Sequence, residues 1–390
     1  MTLIDEKGNI KIIGAGRWWL SQEERRQYER VAYDPGNTDP ATFNLWRGFS
    51  CEPVKSDCGL YLDHLLQNVC GGNKEHFTYL LNWMSRAVQQ PGTQGEVAVV
   101  LRGKEGTGKG IAIGQFGKLF GTHFLQVSQP RHLVGNFNGP LQSVSLLFAD
   151  EAFFAGDRSH EGVLKALVTE PTLQIEIKGV EPITAKNALH IMMSSNSDWV
   201  VPAGADARRF FCLNVGDGRK QDTGYFDPIV RQMDNGGRAA LLHELLARDL
   251  KGFNVRRVPA TDMLRDQQSY SRRGVDALAY ILADSGELPC ALREFPHIAM
   301  TAGESKGEGF IPEAHRLVPD LKRMASSTIK KELRDKYGCK HYRSNGQNGI
   351  IFPELGKLRA QFPKQDHWGE GDVWAAPPAE PSAYGLVRGR

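Results

Sequence analysis

No apolar run in the 390 residues approaches the roughly 20 needed to cross a bilayer, which argues against a membrane-spanning helix. The opening MTLIDEKGNIKII lacks a basic region, a long apolar run and a small-residue cleavage site, so no signal peptide is expected. Cysteine is scarce. Six residues (Cys51, Cys58, Cys70, Cys212, Cys290, Cys339) cannot staple a chain of this length, and they fit a reducing interior. Cys51, Cys58, His64 and Cys70 contain no close Cys pair of zinc-site spacing, so ordinary thiols are expected there. Internal repeats, long low-complexity tracts and a Ser–His–Asp arrangement are also missing.

Net charge is small, with 48 Lys+Arg against 45 Asp+Glu giving +3, but its distribution is uneven. Between Arg316 and Lys364, twelve basic residues face four acidic ones, a local +8 that leaves −5 for the remainder. A basic lobe on an acidic body suggests an anionic partner there, the alternative being an ordinary solvated face.

Periodicity divides the chain. Residues 1–45 are polar and read as an N-terminal arm around Trp18-Trp19; 46–94 form a helical collar. In that collar Phe77, Leu80, Leu81, Met84, Ala87 and Val88 recur at helical spacing up to Pro91-Gly92. From Gly95 the pattern becomes continuous apolar runs separated by helical stretches: 96–103, 143–154, 188–196 and 209–215. Strands of that kind belong to a parallel α/β sheet covered on both faces, expected over 95–250. The alternating 173–186 segment predicts a projecting hairpin. A linker and helical region (251–310), a winged helix (311–372) and a flexible tail (373–390) complete the expected order.

RGKEGTGKG follows the first of these strands and opens a helix. Gly103, Gly106 and Gly108 allow a tight turn whose amides face phosphate oxygens, and the helix adds its positive end. With Glu105, Thr107, Lys109 and Gly110 they form the candidate nucleotide-binding loop, Lys109 reaching the outer phosphates. Gly110 stands where a Ser or Thr would give a hydroxyl to Mg²⁺. An ordinary strand–turn–helix junction remains the alternative for this segment alone. LLFADEAF then places Asp150 and Glu151 at the end of a buried strand. Asp150 is suited to hold Mg²⁺ through water, and Glu151 to polarise an attacking water. Asn196 ends the third strand, where its amide can orient that water. Arg208-Arg209 precedes the fourth, either as a surface pair or as an arginine reaching a neighbouring subunit's nucleotide.

In order, LRGKEGTGKG, LLFADEAF, KALVTEPTLQIEIKG, ALHIMMSSNSDW and ADARRFF resemble superfamily 3 helicases, particularly the virus- and plasmid-type primase-helicase ATPases. The resemblance covers about residues 41–250 and reaches loosely to about 365. It implies an AAA+-like ATPase using ATP and Mg²⁺, assembled as a homo-oligomer, a hexameric ring with single-stranded DNA in its channel. Lys109 is then the P-loop lysine, Asp150 and Glu151 the Walker B acids, Asn196 the sensor, and Arg208 or Arg209 the arginine finger. The family's channel hairpin maps to Lys165 through Lys178-Gly179, with Lys178 on the nucleic acid backbone. Relatives often carry a primase or polymerase domain upstream. None is expected here, so a separate primase or polymerase would be a partner.

LKRMASSTIKKELRDKYG reads as a helix–turn–helix with Ser326-Ser327 capping the second helix. CKHYRSNGQNGIIF reads as a hairpin turning at Asn345-Gly346 or Asn348-Gly349. Together they predict the winged helix; superfamily 3 relatives often end in such a domain, and the resemblance implies that Lys330, Lys331, Arg334 and the hairpin's Arg343 bind duplex DNA. Protein docking is the competing role. The expected function is an ATP-dependent helicase or translocase in replication of a phage, prophage or plasmid-like element, in the cytoplasm of a bacterial host. The alternatives are an ATP-gated loader or initiator, or a catalytically weak structural ATPase.

Overall fold

A computed structural model describes residues 2–4, 10–36, 39–129, 138–152, 158–203, 208–301, 307–344, 346–362, 368 and 373–377. The chain forms two compact units: residues 1–201 with 208–263, and residues 202–207 with 264–390.

The first unit is built on a five-stranded parallel sheet of β5 (Ala98–Arg102), β6 (Phe124–Val127), β7 (Leu146–Asp150), β10 (His190–Ser195) and β11 (Phe210–Asn214). Their spatial order is β11-β5-β10-β7-β6. The four strands expected from sequence are buried nearly throughout, as their unbroken apolar runs require. β6 was not anticipated. It is a four-residue edge strand with Gln126 exposed, too short to stand out.

Helix α3 (Lys74–Gln89) turns Leu80, Leu81, Met84, Ala87 and Val88 inward, and Trp83 donates to the Val97 carbonyl at 2.8 Å. Asn73 caps it by accepting from the Glu75 and His76 amides. Ahead of it, α2 (Gly59–Asp63) continues into a π-helical turn over His64–Val69. Helices α4 (Lys109–Gly117), α5 (Arg158–Thr169), α6 (Thr223–Gln232) and α7 (Arg238–Ala247) complete the unit. The strands β8 (Thr172–Ile175) and β9 (Ile183–Lys186) form the expected hairpin, with Leu173 opposite Ala185.

The N-terminal arm has little core of its own. It carries an antiparallel pair, β1 (Thr2–Ile4) with β2 (Ile10–Ile12), the short helix α1 (Ala15–Leu20) with no buried residue, and a parallel pair, β3 (Arg30–Ala32) with β4 (Thr42–Asn44). Tyr33 and Trp46 fasten it. The Tyr33 hydroxyl bonds Ser145, and the Trp46 ring stacks on His123 at 4.6 Å.

The division between units falls after Met263, within α8 (Asp262–Tyr270). The second unit packs α9 (Gly274–Ser285), α10 (Phe310–Leu317), α11 (Ser326–Tyr337) and α12 (Leu355–Arg359) around the antiparallel sheet β12-β14-β13. These strands are β12 (Ile298–Met300), β13 (Lys340–Ser344) and β14 (Gln347–Ile351). Within the span expected to hold a linker and helical region, Val275, Leu278 and Leu282 of α9 share a core with Phe310, Ile329 and Leu333. Two expectations need correction here. Ser326 is already helical and Ala325 is the N-cap, with no capping side chain, so Ser326-Ser327 do not cap. Trp374, assigned to the loose tail, is buried and donates to the Pro353 carbonyl at 2.8 Å; residues 378–390 of that tail lie outside the described residues. Ser344 pairs with Gln347, so the hairpin turns at positions 345–346, of which Asn345 is outside the described residues.

Among the described residues, no helix is long and apolar enough to cross a membrane.

Candidate functional site

Parallel strands present all their carboxyl ends at one edge of a sheet, where ligands of open α/β sheets bind. β5 delivers the glycine-rich loop there, β7 delivers Asp150 and Glu151, and β10 lies between them. Asn196, just past β10, is therefore interposed between loop and acids. An open cleft of roughly 570 Å³ is lined by Glu105 through Ile111, Asp150, Glu151, Ser194 and Asn196 together with Gln221, Thr223, Phe226 and Asp227.

Within the loop, Gly106 and Gly108 have φ of +74° and +90°, the left-handed region that a side chain disfavours. A Cβ at Gly108 would also lie 2.5 Å from Phe226 and 2.7 Å from His64. Gly110 differs: nothing lies within 4 Å of a Cβ placed there. Its backbone therefore does not demand glycine.

Lys109 is buried, and its ammonium uses three donors on the Gly103 carbonyl (2.5 Å), the Lys104 carbonyl (2.9 Å) and Asn196 Oδ1 (2.7 Å). Burial pulls it below the usual lysine range, while Glu151, Asp150 and Glu105 oppose that shift. Asp150 sits opposite Ser194, whose hydroxyl donates to it at 2.5 Å, and Gln126 donates to its other oxygen at 3.0 Å. Glu151 adopts φ +53°, unusual for a side-chain-bearing residue. That turn is held by its amide on the Ser194 carbonyl and by its carboxylate accepting from Ser195 Oγ and the Asn196 amide, both at 3.2 Å.

A second layer supports the loop from the collar. Tyr61 donates to the Ala112 carbonyl at 2.5 Å, Asn68 to the Thr107 carbonyl at 2.7 Å, and His64 Nε2 meets the Gly108 carbonyl at 3.2 Å. In a trans peptide the carbonyl and the next amide point oppositely. Holding the carbonyls of Thr107 and Gly108 towards the collar turns the amides of Gly108 and Lys109 away from it. Burial lowers the His64 pKa, so its ring is held neutral, one nitrogen on Gly108 and the other 3.4 Å from the Tyr225 hydroxyl. From the opposite side, the Gln221 amide donates to the Gly106 carbonyl at 2.9 Å. Sequence reading weighed His64 only as a zinc ligand and missed Asn68, Ser194, Gln126 and Gln221. Only Ser194 lay inside a quoted motif, and the collar residues stand 44 and 39 positions from their partners.

The remaining candidates lie elsewhere. Arg208 and Arg209 are exposed at the amino end of β11, directly after residues 204–207, which are outside the described residues. Strands rise roughly 3.3 Å per residue, which puts this pair roughly 16 Å from the edge that carries their own loop. Lys178 is exposed at the tip of the β8–β9 hairpin beside Gly179 at φ +78°. Asn138 anchors that hairpin, donating to the Gln174 carbonyl and accepting from the Glu176 amide, each at 2.8 Å. In the second unit Lys331, Arg334 and Arg343 are exposed and Lys330 is half-buried. Arg334 pairs with Asp335 at 3.1 Å.

Mg²⁺ fits this donor set in one way. Among the described residues no three potential ligands converge, so Asp150, oriented by Ser194 and Gln126, would hold the ion chiefly through water and phosphate oxygens.

Residues 101–209 match the model of a family of unknown function, DUF5906. That span contains Lys109, Asp150, Glu151, Lys178, Asn196 and both arginines. The DNA Primase-polymerase of Nitratiruptor phage NrS-1 is 24% identical over 220 residues, which is 56% of this chain and 30% of the phage protein. The chain thus spans less than a third of that relative's length. The apo structure of the NrS-1 C-terminal region (305–718) matches with a TM-score of 0.61 at 17% identity, covering 83% of this chain and 84% of that one. The A-form apo structure of the same region matches at 0.64 and 16% identity, covering 88% and 92%. At these identities the likeness concerns the fold.

Proposed function

We propose that the chain is the ATP-hydrolysing motor of a phage-type replication system, an AAA+-like superfamily 3 helicase that works as a ring on single-stranded DNA. The observation that carries this reading is the convergence of Lys109, Asp150, Glu151 and Asn196 at one sheet edge. The likeness to a phage DNA Primase-polymerase supports the setting in replication. In this reading the Gly108 and Lys109 amides, braced by the collar, bind phosphate, and Lys109 exchanges an internal acceptor for the outer phosphates. Mg²⁺, when bound, neutralises phosphate charge, with Asp150 as its protein ligand. Glu151 polarises the attacking water and Asn196 orients it.

Arg208 and Arg209 stand too far from their own loop to serve it, so one of them completes the site of a neighbouring subunit in a ring of six, the form that the resemblance implies. Each Lys178 hairpin would follow one DNA strand through the channel. The second unit, with its helix–turn–helix and β-hairpin, acts as a winged helix on DNA. A forked DNA substrate tests the motor against a loader. ATP-dependent strand separation that is lost in Lys178→Ala supports the helicase. Fork binding with ATP turnover and no separation assigns the chain to the loader class.

A further inference from the structure

The second unit holds a cleft of about 400 Å³ between α11 and the β13–β14 hairpin, and its charge is opposite to that of the nucleotide cleft. Lys330, Arg334 and Lys340 line it, with the amides of Gln347 and Asn348 beside them. Among the described residues no Asp or Glu lines it, whereas Glu105, Asp150, Glu151 and Asp227 line the other against Lys109 alone. Lys331 and Arg343 do not line it, although sequence reading grouped them with Lys330 and Arg334.

We propose that this cleft binds one nucleotide of a DNA strand without a metal ion. Lys330 and Arg334 are one helical turn apart and so share a face of α11. Lys340, at the start of β13, brings a third cation from the hairpin. Cations converging on one concavity suit a single phosphate, while a row of duplex phosphates suits cations spread along a surface. The volume is in the range of small-ligand pockets, roughly 300–1,000 Å³, and the Gln and Asn amides can hydrogen-bond a base edge. A carboxylate-lined site needs a divalent ion between itself and phosphate; a site lined by ammonium and guanidinium groups does not. The inference rests on the nucleic-acid reading of the chain and is independent of its ATPase.

The test is the affinity of the full chain for a short single-stranded oligonucleotide, by fluorescence anisotropy in EDTA without ATP. A Lys178→Ala background removes the hairpin contribution. Binding should persist in that background, weaken about tenfold or more in Lys340→Ala and in Lys330→Ala, and stay unchanged in Lys357→Ala, an exposed lysine of the same unit outside the cleft. Equal affinity in all four proteins would overturn the cleft while leaving DNA binding in place. No binding to any DNA would overturn both the cleft and the nucleic-acid reading. Displacement by an acidic peptide at matching concentration, or tighter binding to a blunt duplex than to the single strand, would also refute the proposed occupant.

Discussion

Gly110 illustrates how a single residue's surroundings decide its meaning. Glycines at 106 and 108 are demanded by positive φ, and at 108 by contact with Phe226 and His64 as well; Gly110 has neither constraint. Gly110→Thr should therefore fold normally and supply the hydroxyl that Asp150 lacks beside it. The expected result is a lower Mg²⁺ requirement for turnover with kcat unchanged or raised. A fall of tenfold or more in kcat would contradict this. His190 gives a second residue-level prediction. Burial, with the nearby Arg86 charge adding to it, pushes this ring down to about 3. Below about pH 6.5 the unfolded chain takes up a proton that the folded one refuses. Stability should be insensitive to this group above pH 7 and fall by about 1.4 kcal/mol per pH unit as pH drops from 6.5 towards 3. Melting curves of His190→Leu should be flatter than wild type between pH 7 and 5, and parallel profiles would refute the assignment.

At the scale of elements, the collar braces the glycine-rich loop through His64 and Asn68, and the helix that follows it through Tyr61, three donors from one short helical stretch. Asn68→Ala frees the Thr107 carbonyl and so the Gly108 amide. The expected effect is a rise in KM for ATP of about tenfold with kcat changed less than threefold, because a Gly108 amide turned out of line loses a charge-assisted hydrogen bond to phosphate. Asn68→Asp, which keeps the shape but cannot donate, should behave like the alanine. A matching loss of kcat with KM unchanged would show that the collar does not position the loop. The elements themselves differ in how readable they were. Continuous apolar strands, the glycine loop and the alternating hairpin follow from local periodicity, and each appears within a few residues of its expected span. Edge strand β6 did not announce itself because it is only four residues long. Helix α9 fell in a span expected to hold linker and helix, and its place in a core was hidden because its partners, Ile329 and Leu333, lie about fifty residues further on. The same distance hid the collar's bonds to the loop.

Across the whole molecule, the Lys109, Asp150, Glu151 and Asn196 cluster and the two arginines lie at opposite ends of one sheet. A single subunit therefore cannot bring Arg208 or Arg209 to its own Lys109, and hydrolysis should require assembly. Mixing Lys109→Ala with a chain carrying both Arg208→Ala and Arg209→Ala, each inactive alone, should restore part of the turnover by forming interfaces with one intact site. No recovery from subunits that demonstrably exchange would place the arginines outside the reaction. The second unit carries the positive excess read from sequence; of the four cations expected to bind DNA, Lys330 and Arg334 line its cleft together with Lys340, while Lys331 and Arg343 do not.

The most direct measurement is steady-state ATP hydrolysis by the assembled protein with Mg²⁺, in the presence and absence of single-stranded DNA, for wild type and Lys109→Ala. Turnover that single-stranded DNA stimulates and Lys109→Ala abolishes is the predicted result. A folded, assembled wild-type protein with no turnover in either condition, or turnover that survives Lys109→Ala, would contradict the motor.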